Sequence, residues 1–367
     1  MSGVGRQQST SGRSRALEDL SACSPPVTFA LVGYGEGGRY FHAPVIAGAA
    51  GARLGFIVTG SPERSAQAAA EHPQAEVVPS LAEAVAAGAQ AVAISTPVAT
   101  HSQLTDQAIA LGVPTVCDKP FALDARAARA SVQRARSTGV LLSPCQNRRW
   151  DSDFRTLRRV LANGELGQVT RLESALERWA PAEPVIAGGG LLRDFGTHLV
   201  DQALVLFGPV ESVAAQTSGG DGCEREARLQ LQHVNGVVSE LSASLVQPAP
   251  APRYRLTGTA GSFVLEAPLD VQEALLLAGR TPGVEGDAWG VEPPSRWGAV
   301  VLGDGPARRV PSEPGRWPDF YAAFARAVRG RGPVPVDPAD AIATCEILDA
   351  ARRAARSGAT VRLPTHA

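Results

Sequence analysis

The stretch RDFGTHLVD (193–201) follows three consecutive glycines, Gly188 to Gly190. As a helix it puts Asp194, His198 and Asp201 at i, i+4 and i+7, on one face. Such a face is either a solvated surface or an acid–base site. A histidine ordinarily titrates near about 6.5, so His198 suits the removal of a hydroxyl proton near neutral pH. Asp194, one turn away, could share that proton or fix the tautomer. Simpler readings stand beside these. Asp194 could only cap a helix, His198 could be a satisfied buried histidine, and Asp201 reads as structural support. Gly196 reads as leaving room for a ligand beside the two polar groups.

A second chemistry-bearing stretch lies upstream. VGYGEGGRYFHAP contains Gly33-x-Gly35-x-x-Gly38 directly after the apolar run VTFALVG. In such a loop the first glycine allows the turn, the second lets backbone approach a pyrophosphate, and the third lets helix and strand pack. A helix N-terminus then offers free N–H groups to the phosphates. Gly33, Tyr34, Gly35, Glu36, Gly37 and Gly38 are therefore candidate cofactor contacts. The following strand ends Val58-Thr59-Gly60-Ser61, without the acid that usually binds the ribose hydroxyls of NAD. A carboxylate there would repel a 2′-phosphate. Thr59, Ser61 and Arg64 could instead bind one, so NADP(H) is favoured over NAD(H). Arg64 could equally be a solvated helix residue.

The chain that must position these groups has 367 residues, 44% hydrophobic and 19% charged, enough for one large domain or two ordinary ones. Its formal net charge of −1 gives no reason to expect nucleic acid or an anionic membrane as a partner. The five cysteines are scattered, with no metal-knuckle spacing. That speaks against a metal site and a disulfide framework and fits a cytoplasmic protein. No stretch is long and apolar enough to span a bilayer. Residues 1–26 are rich in Ser, Gly, Arg and Gln and read as a disordered extension.

From Val27, strands alternate with helices. Strands are expected at 27–33, 52–60, 89–97, 113–120 and 140–146, and helices at 62–72, through Leu111, and at 124–139. This is the pattern of a parallel sheet with helices on both faces. After a helix near 151–163, alternating apolar and polar runs follow at 168–178, 210–217, 226–234, 237–246, 253–259 and 262–267. They read as an antiparallel sheet with one covered face. Two late helices are expected at 320–330 and 338–358. The fold class is thus an α/β Rossmann domain (27–146) followed by an α+β domain with a large, mostly antiparallel sheet (147–367).

GYGEGGRYFHAP, ISTPVATH, CDKPFALD and GGGLLRDFGTHLVDQALVLFG resemble, in this order and spacing, motifs of the Gfo/Idh/MocA oxidoreductases. QNRRWDSDF (146–154) is similar to a segment of the subgroup containing NADP-dependent scyllo-inositol dehydrogenases. The resemblance covers the chain from Val27 onward. It implies a Rossmann domain and an open-faced sheet that often packs on another subunit, hence a homodimer or homotetramer through the C-terminal sheet. It also implies a small-molecule polyol or keto-sugar as the partner. The family's Glu-Lys-Pro motif matches Asp118-Lys119-Pro120, and its lysine contacts cofactor and substrate hydroxyl. Its paired acid and histidine match Asp194 and His198. Ser95, Thr96 and Pro97 match its stretch beside the nicotinamide, and His101 its histidine on the next helix. With Asp118 and Gln146 these complete the candidate cofactor contacts. Asp118 departs from the commoner Glu by one methylene.

An ammonium at Lys119 would favour a developing alkoxide. Lys119, Asp194 and His198 are the catalytic candidates. Arg148 and Trp150 join them as substrate contacts, since they lie where the chain crosses between domains. Trp150 could stack on a ring or pack in the core, and Arg149 could bind hydroxyls. His42 reads as structural. Two other activities share the resemblance: a glycosidase that uses tightly held NAD, and a non-enzymatic dinucleotide-binding regulator.

Overall fold

The computed structural model describes residues 25–185, 190–220, 223–267 and 270–364. Nearly all of the extension, Cys23, Gly188 and Gly189 lie outside the described residues.

The first strand, Val27–Val32 (β1), is buried along its whole length. Successive side chains point to opposite sides of a strand. Phe29 and Leu31 accordingly join one apolar cluster, Ala30 and Val32 another. Ala52–Val58 (β2), Glu76–Val78 (β3), Ala91–Ile94 (β4), Thr115–Cys117 (β5) and Leu142–Pro144 (β6) complete a six-stranded sheet in the order β3-β2-β1-β4-β5-β6. Every pairing is parallel. Chain order reverses between β1 and β4, so a crevice opens at their C-terminal ends, where open α/β sheets bind ligands. The helices between strands stop and start where caps allow. The Asp124 carboxylate accepts from Ala127 N at 2.7 Å, opening Ala125–Thr138, and Gly139 at φ 69° closes it. The short strand β3 and the helix Leu81–Ala86 were not expected. EVVPS is too short to show a period.

The second sheet has nine strands. They are Val169–Glu177 (β7), Val210–Ser218 (β8), Glu226–His233 (β9), Val238–Ser244 (β10), Tyr254–Gly258 (β11), Gly261–Leu265 (β12), Gly298–Leu302 (β13), Arg308–Val310 (β14) and Val361–Arg362 (β15), in the order β14-β13-β12-β11-β7-β10-β9-β8-β15. The alternating pattern holds. Leu172, Leu229, Leu231, Leu241 and Leu256 face a core covered by the helices Ser152–Asn163, Gly196–Phe207 and Pro338–Ser357. Arg171, Arg228, Gln230 and Arg255 are exposed on the other face. One pairing corrects the sequence reading. β7 and β10 run parallel, with Leu172 opposite Ser239, because β7 lies in the middle of the sheet and takes both β11 and β10 as neighbours. Alternation reports which face is covered, not strand direction.

The C-terminal helices return to the first sheet. Trp317–Val328 lays Phe320, Tyr321 and Phe324 on the β1 face that carries Phe29 and Leu31. Tyr321 meets Phe29 edge-on, ring centres 5.5 Å apart. Pro338–Ser357 packs Ala341 and Cys345 against the helix Ala125–Thr138, and Ile347 and Leu348 against the second sheet's core. One helix thus joins both cores across the cleft.

Candidate active site

The glycine loop is built as its spacing requires. Gly33 has φ 98°, and a Cβ there would lie 2.3 Å from the Ser95 carbonyl oxygen. A Cβ on Gly38 would lie 2.1 Å from the Gly33 oxygen, so this glycine is needed for helix–strand contact. Gly35 differs. It lines the cleft, and a Cβ there meets nothing within 4 Å. Bare backbone therefore borders a cleft of about 760 Å³, within the range of small-molecule sites. Buried Gln146 turns its Oε1 to no hydrogen-bond partner among the described residues. Open glycine backbone at the switch point fits a dinucleotide.

Gly33, Gly35, Glu36, Gly37, Arg64, Ser95, Thr96 and Pro97 line the cleft, as do Asp118, Lys119, Arg148, Asp194 and His198. Other candidate cofactor contacts do not reach it with their side chains. Tyr34 is buried and donates its hydroxyl to Glu71 at 2.6 Å, because the apolar side of the loop is the core side. Thr59 accepts from Ser61 N at 3.3 Å, and Ser61 caps the helix Pro62–Glu71 by accepting from Arg64 N at 3.4 Å. His101 is buried with both ring nitrogens on backbone carbonyls.

At the exit of β5, Asp118 accepts from Ser95 Oγ at 3.0 Å and from its neighbour Lys119 N at 2.7 Å. His42 Nε2 lies 3.0 Å from the same carboxylate, and its Nδ1 lies 2.5 Å from the Tyr321 hydroxyl. A carboxylate only accepts, so His42 donates to it from Nε2. Burial works against the Asp118 charge, but His42, Lys119 and His101 outweigh it and hold this carboxyl well below its usual range. Donor atoms of His42, Asp118 and Cys145 fall within 4.8 Å of one another. Burial pushes the Cys145 thiol well up, away from the thiolate that a metal needs. The hydrogen bonds already satisfy His42 and Asp118.

Lys119 Nζ donates to Asp194, and the pair is partly buried. Burial alone would lower the Lys119 pKa. Asp194 and Asp118 reverse this and raise it, so the side chain is an ammonium. His198 moves the other way. Burial first, then Lys119, Arg148 and Arg253, push it well below the ordinary imidazole value. Its Nδ1 is buried without a partner among the described residues. The expectation of a histidine poised near neutral pH is therefore corrected: His198 is a neutral imidazole among cations. One of these, Arg253, is wholly buried and bound to Asp153 at 3.0 Å and to Gln202 Oε1 at 2.9 Å.

The nine-residue opening motif is not one uninterrupted helix. Gly190–Asp194 ends at Asp194, and Gly196–Phe207 begins after Phe195. Gly196 does not make room for a ligand either. A Cβ there would meet Leu348 at 3.3 Å and Leu192 at 3.4 Å, so its space is held by the core. Asp201 goes to Arg149, which donates to it twice, at 2.8 and 2.6 Å, and also to Asp340 at 2.8 Å. Arg149 is thereby spent on structure. Trp150 is likewise corrected. It packs edge-on to Phe320 with ring centres 5.4 Å apart and does not line the cleft. Arg148 does line it, anchored by Asp151 at 3.1 Å and Glu273 at 2.5 Å.

Several lining residues went unread in the sequence: Phe41, Arg178, Glu183, Phe195 and Glu273. Arg178 pairs with Glu183 at 2.6 Å and lies over the Phe195 ring, 5.0 Å from its centre. Glu273 belongs to the helix Val271–Leu277, whose seven residues are too few for a readable period. No local pattern links these segments, and only the packing of the second sheet on the first brings them together.

Comparison with known proteins decides the family. Residues 27–145 match the oxidoreductase family with an NAD-binding Rossmann fold, GFO/IDH/MocA, and residues 154–264 match its GFO/IDH/MocA C-terminal domain. The chain belongs to the Gfo/Idh/MocA family. Among family members, the scyllo-inositol 2-dehydrogenase (NADP(+)) IolW of Bacillus subtilis is 30% identical over 91% of this chain and 95% of its own. The Escherichia coli oxidoreductase YdgJ is 33% identical over 93% and 99%. A crystal structure of an oxidoreductase from Klebsiella pneumoniae superposes with a TM-score of 0.84 at 32% identity, covering 93% of this chain and 96% of that one. Membership carries NAD(P)-dependent dehydrogenase activity on a Rossmann fold. No described helix is long and apolar enough to cross a membrane.

Proposed function

We propose that this Gfo/Idh/MocA protein is an NADP(H)-dependent oxidoreductase that moves a hydride between nicotinamide and a secondary hydroxyl or ketone of a sugar or cyclitol. The observation that carries the reading is the convergence of Lys119, Asp194 and His198 on the cleft bordered by the glycine loop. The nicotinamide supplies the hydride acceptor or donor. In ketone reduction, the Lys119 ammonium gives a proton to the oxygen of the developing alkoxide, and Asp194 holds that ammonium in place. In the reverse direction, Lys119 must first lose its proton, which its raised pKa opposes at neutral pH. His198, held neutral, hydrogen-bonds the substrate oxygen without exchanging charge.

The lining suits an uncharged, hydroxyl-rich ligand. Arg148 and Arg178 offer donors while Glu177, Glu183 and Glu273 offer acceptors, and a hydroxyl can answer either. NADP(H) is supported by the absence of a carboxylate at Thr59-Gly60-Ser61 and by Arg64 on the cleft wall. It is also supported by the similarity to IolW, described as NADP(+)-dependent. Association as a homodimer or homotetramer through the exposed face of the second sheet belongs to the same reading. Four free cysteines among the described residues suit a cytoplasmic setting.

The test is a screen of inositols, inososes, aldoses and keto-sugars with NAD(H) and NADP(H) in parallel, following nicotinamide absorbance. Turnover of a cyclitol or sugar with NADP(H) is the expected result. Preference for NAD(H) overturns the cofactor reading. Binding of NADPH with no turnover of any polyol or keto-sugar overturns the substrate reading.

A further inference from the structure

His101 opens the helix His101–Ala110 and is only 1% exposed. Its Nδ1 lies 2.9 Å from the Pro120 carbonyl oxygen and its Nε2 lies 2.8 Å from the Thr96 carbonyl oxygen. Carbonyl oxygens only accept, and a neutral imidazole carries one N–H. In either neutral tautomer one ring lone pair would face a carbonyl lone pair at under 3 Å in a buried site. Only the doubly protonated ring answers both.

We propose that His101 is a buried imidazolium that ties the Ser95–Pro97 loop to the Asp118–Pro120 loop, as a positioning residue for the wall of the cleft. Both loops supply that wall, and the second carries Lys119. The groups facing the ring agree with a cation. Asp118 stands at the exit of β5 beside Cys117, and the Ser95–Pro97 loop presents only the Thr96 carbonyl. Burial alone would lower the His101 pKa, but Cys117, Asp118 and the Pro120 carbonyl outweigh it and lift the value to about 9. His101 does not border the cleft, so this role differs from a direct cofactor contact. It stands apart from the identity of the substrate.

The first experiment is nitrogen-15 and proton NMR of the imidazoles in the full, cofactor-free chain across pH. His101 is assigned through bonds from its ring to its own backbone and checked by its loss in His101→Gln. Two downfield N–H protons from one ring, kept past neutral pH and lost near pH 9, are expected. One ring proton only, or titration at or below the ordinary histidine value, overturns the proposal. The second experiment follows NADPH affinity against pH by nicotinamide fluorescence. In the native chain, affinity falls about tenfold as pH rises through 9, the scale of losing one charge-assisted hydrogen bond. His101→Gln starts weaker and lacks that step. An unaltered alkaline step in the variant assigns the step to another group and overturns the positioning role. If NADPH does not bind at all, NADH is used as the probe. The NMR result decides the charge whatever the enzyme turns over.

Discussion

The two walls of the cleft are built by different means. The wall on the first sheet is mostly backbone: Gly33, Gly35 and Gly37, then the loops after β4 and β5. Each of its turns is local, since a strand end and the residues just after it make each one. The opposite wall is mostly side chain. Arg148, Arg178, Asp194, His198 and Glu273 arrive from several separate segments, and ion pairs fix the charged ones: Arg148 with Glu273, Arg178 with Glu183 and Asp194 with Lys119. The first wall is suited to a ligand of fixed shape such as a dinucleotide. The second sets its charges by mutual contact, so its chemistry depends on every partner.

The largest break in this comparison comes where the two walls meet. Lys119→Met removes the ammonium that Asp194 holds, and turnover falls by about 10²–10⁴-fold while circular dichroism stays native. Before that change, the pH profile of ketone reduction has no inflection near pH 6.5, because His198 is already neutral there. Reduction declines only at alkaline pH as Lys119 deprotonates, and oxidation rises over the same range. An inflection near pH 6.5 that disappears in His198→Asn would return the proton to the histidine.

A pair of substitutions tests whether the first wall is backbone by necessity. Gly38→Ala forces a Cβ toward the Gly33 oxygen and destabilises the fold by about 3 kcal/mol, read by thermal melting. Gly35→Ala adds a Cβ that meets no protein atom within 4 Å, so melting is unchanged while NADPH binding weakens about tenfold. Equal loss of stability in both would erase the distinction. A milder change acts at the end of β2. Ser61→Asp keeps an N-cap oxygen and adds a carboxylate, so the ratio of kcat/KM for NADPH over NADH drops by roughly ten- to a hundredfold. The smallest effect is expected at Trp150→Phe. Stability falls by roughly 1 kcal/mol and KM for the polyol stays within about twofold, since this ring packs on Phe320 outside the cleft. A large rise in KM would return Trp150 to the substrate.

Much of the fold could be read from sequence because its elements announce themselves locally. The apolar run of β1, the Asp124 cap, the Gly139 stop and the alternation of β7 to β11 need no partner to be recognised. The strands β3, β14 and β15 escaped because two or three residues carry no period, and β13 because it follows a Gly- and Pro-rich segment that hides its start. Arg149, and the ring-stacking alternative for Trp150, were misjudged for another reason. Nothing in QNRRWDSDF tells that Phe320 and Asp340, far along the chain, would claim them.

The sequence by itself determined the glycine loop, the two-sheet plan, and the residue types Lys119, Asp194 and His198 that any hydride chemistry here would use. The loop and the plan follow from short-range rules of sterics, capping and period, while the resemblance picked out the three residues. Only the tertiary structure decided their charges. Lys119 is an ammonium because Asp194 lies against it, and His198 is neutral because burial and three cations surround it. Protonation depends on distances through space, and those distances exist only once the second sheet has packed across the first.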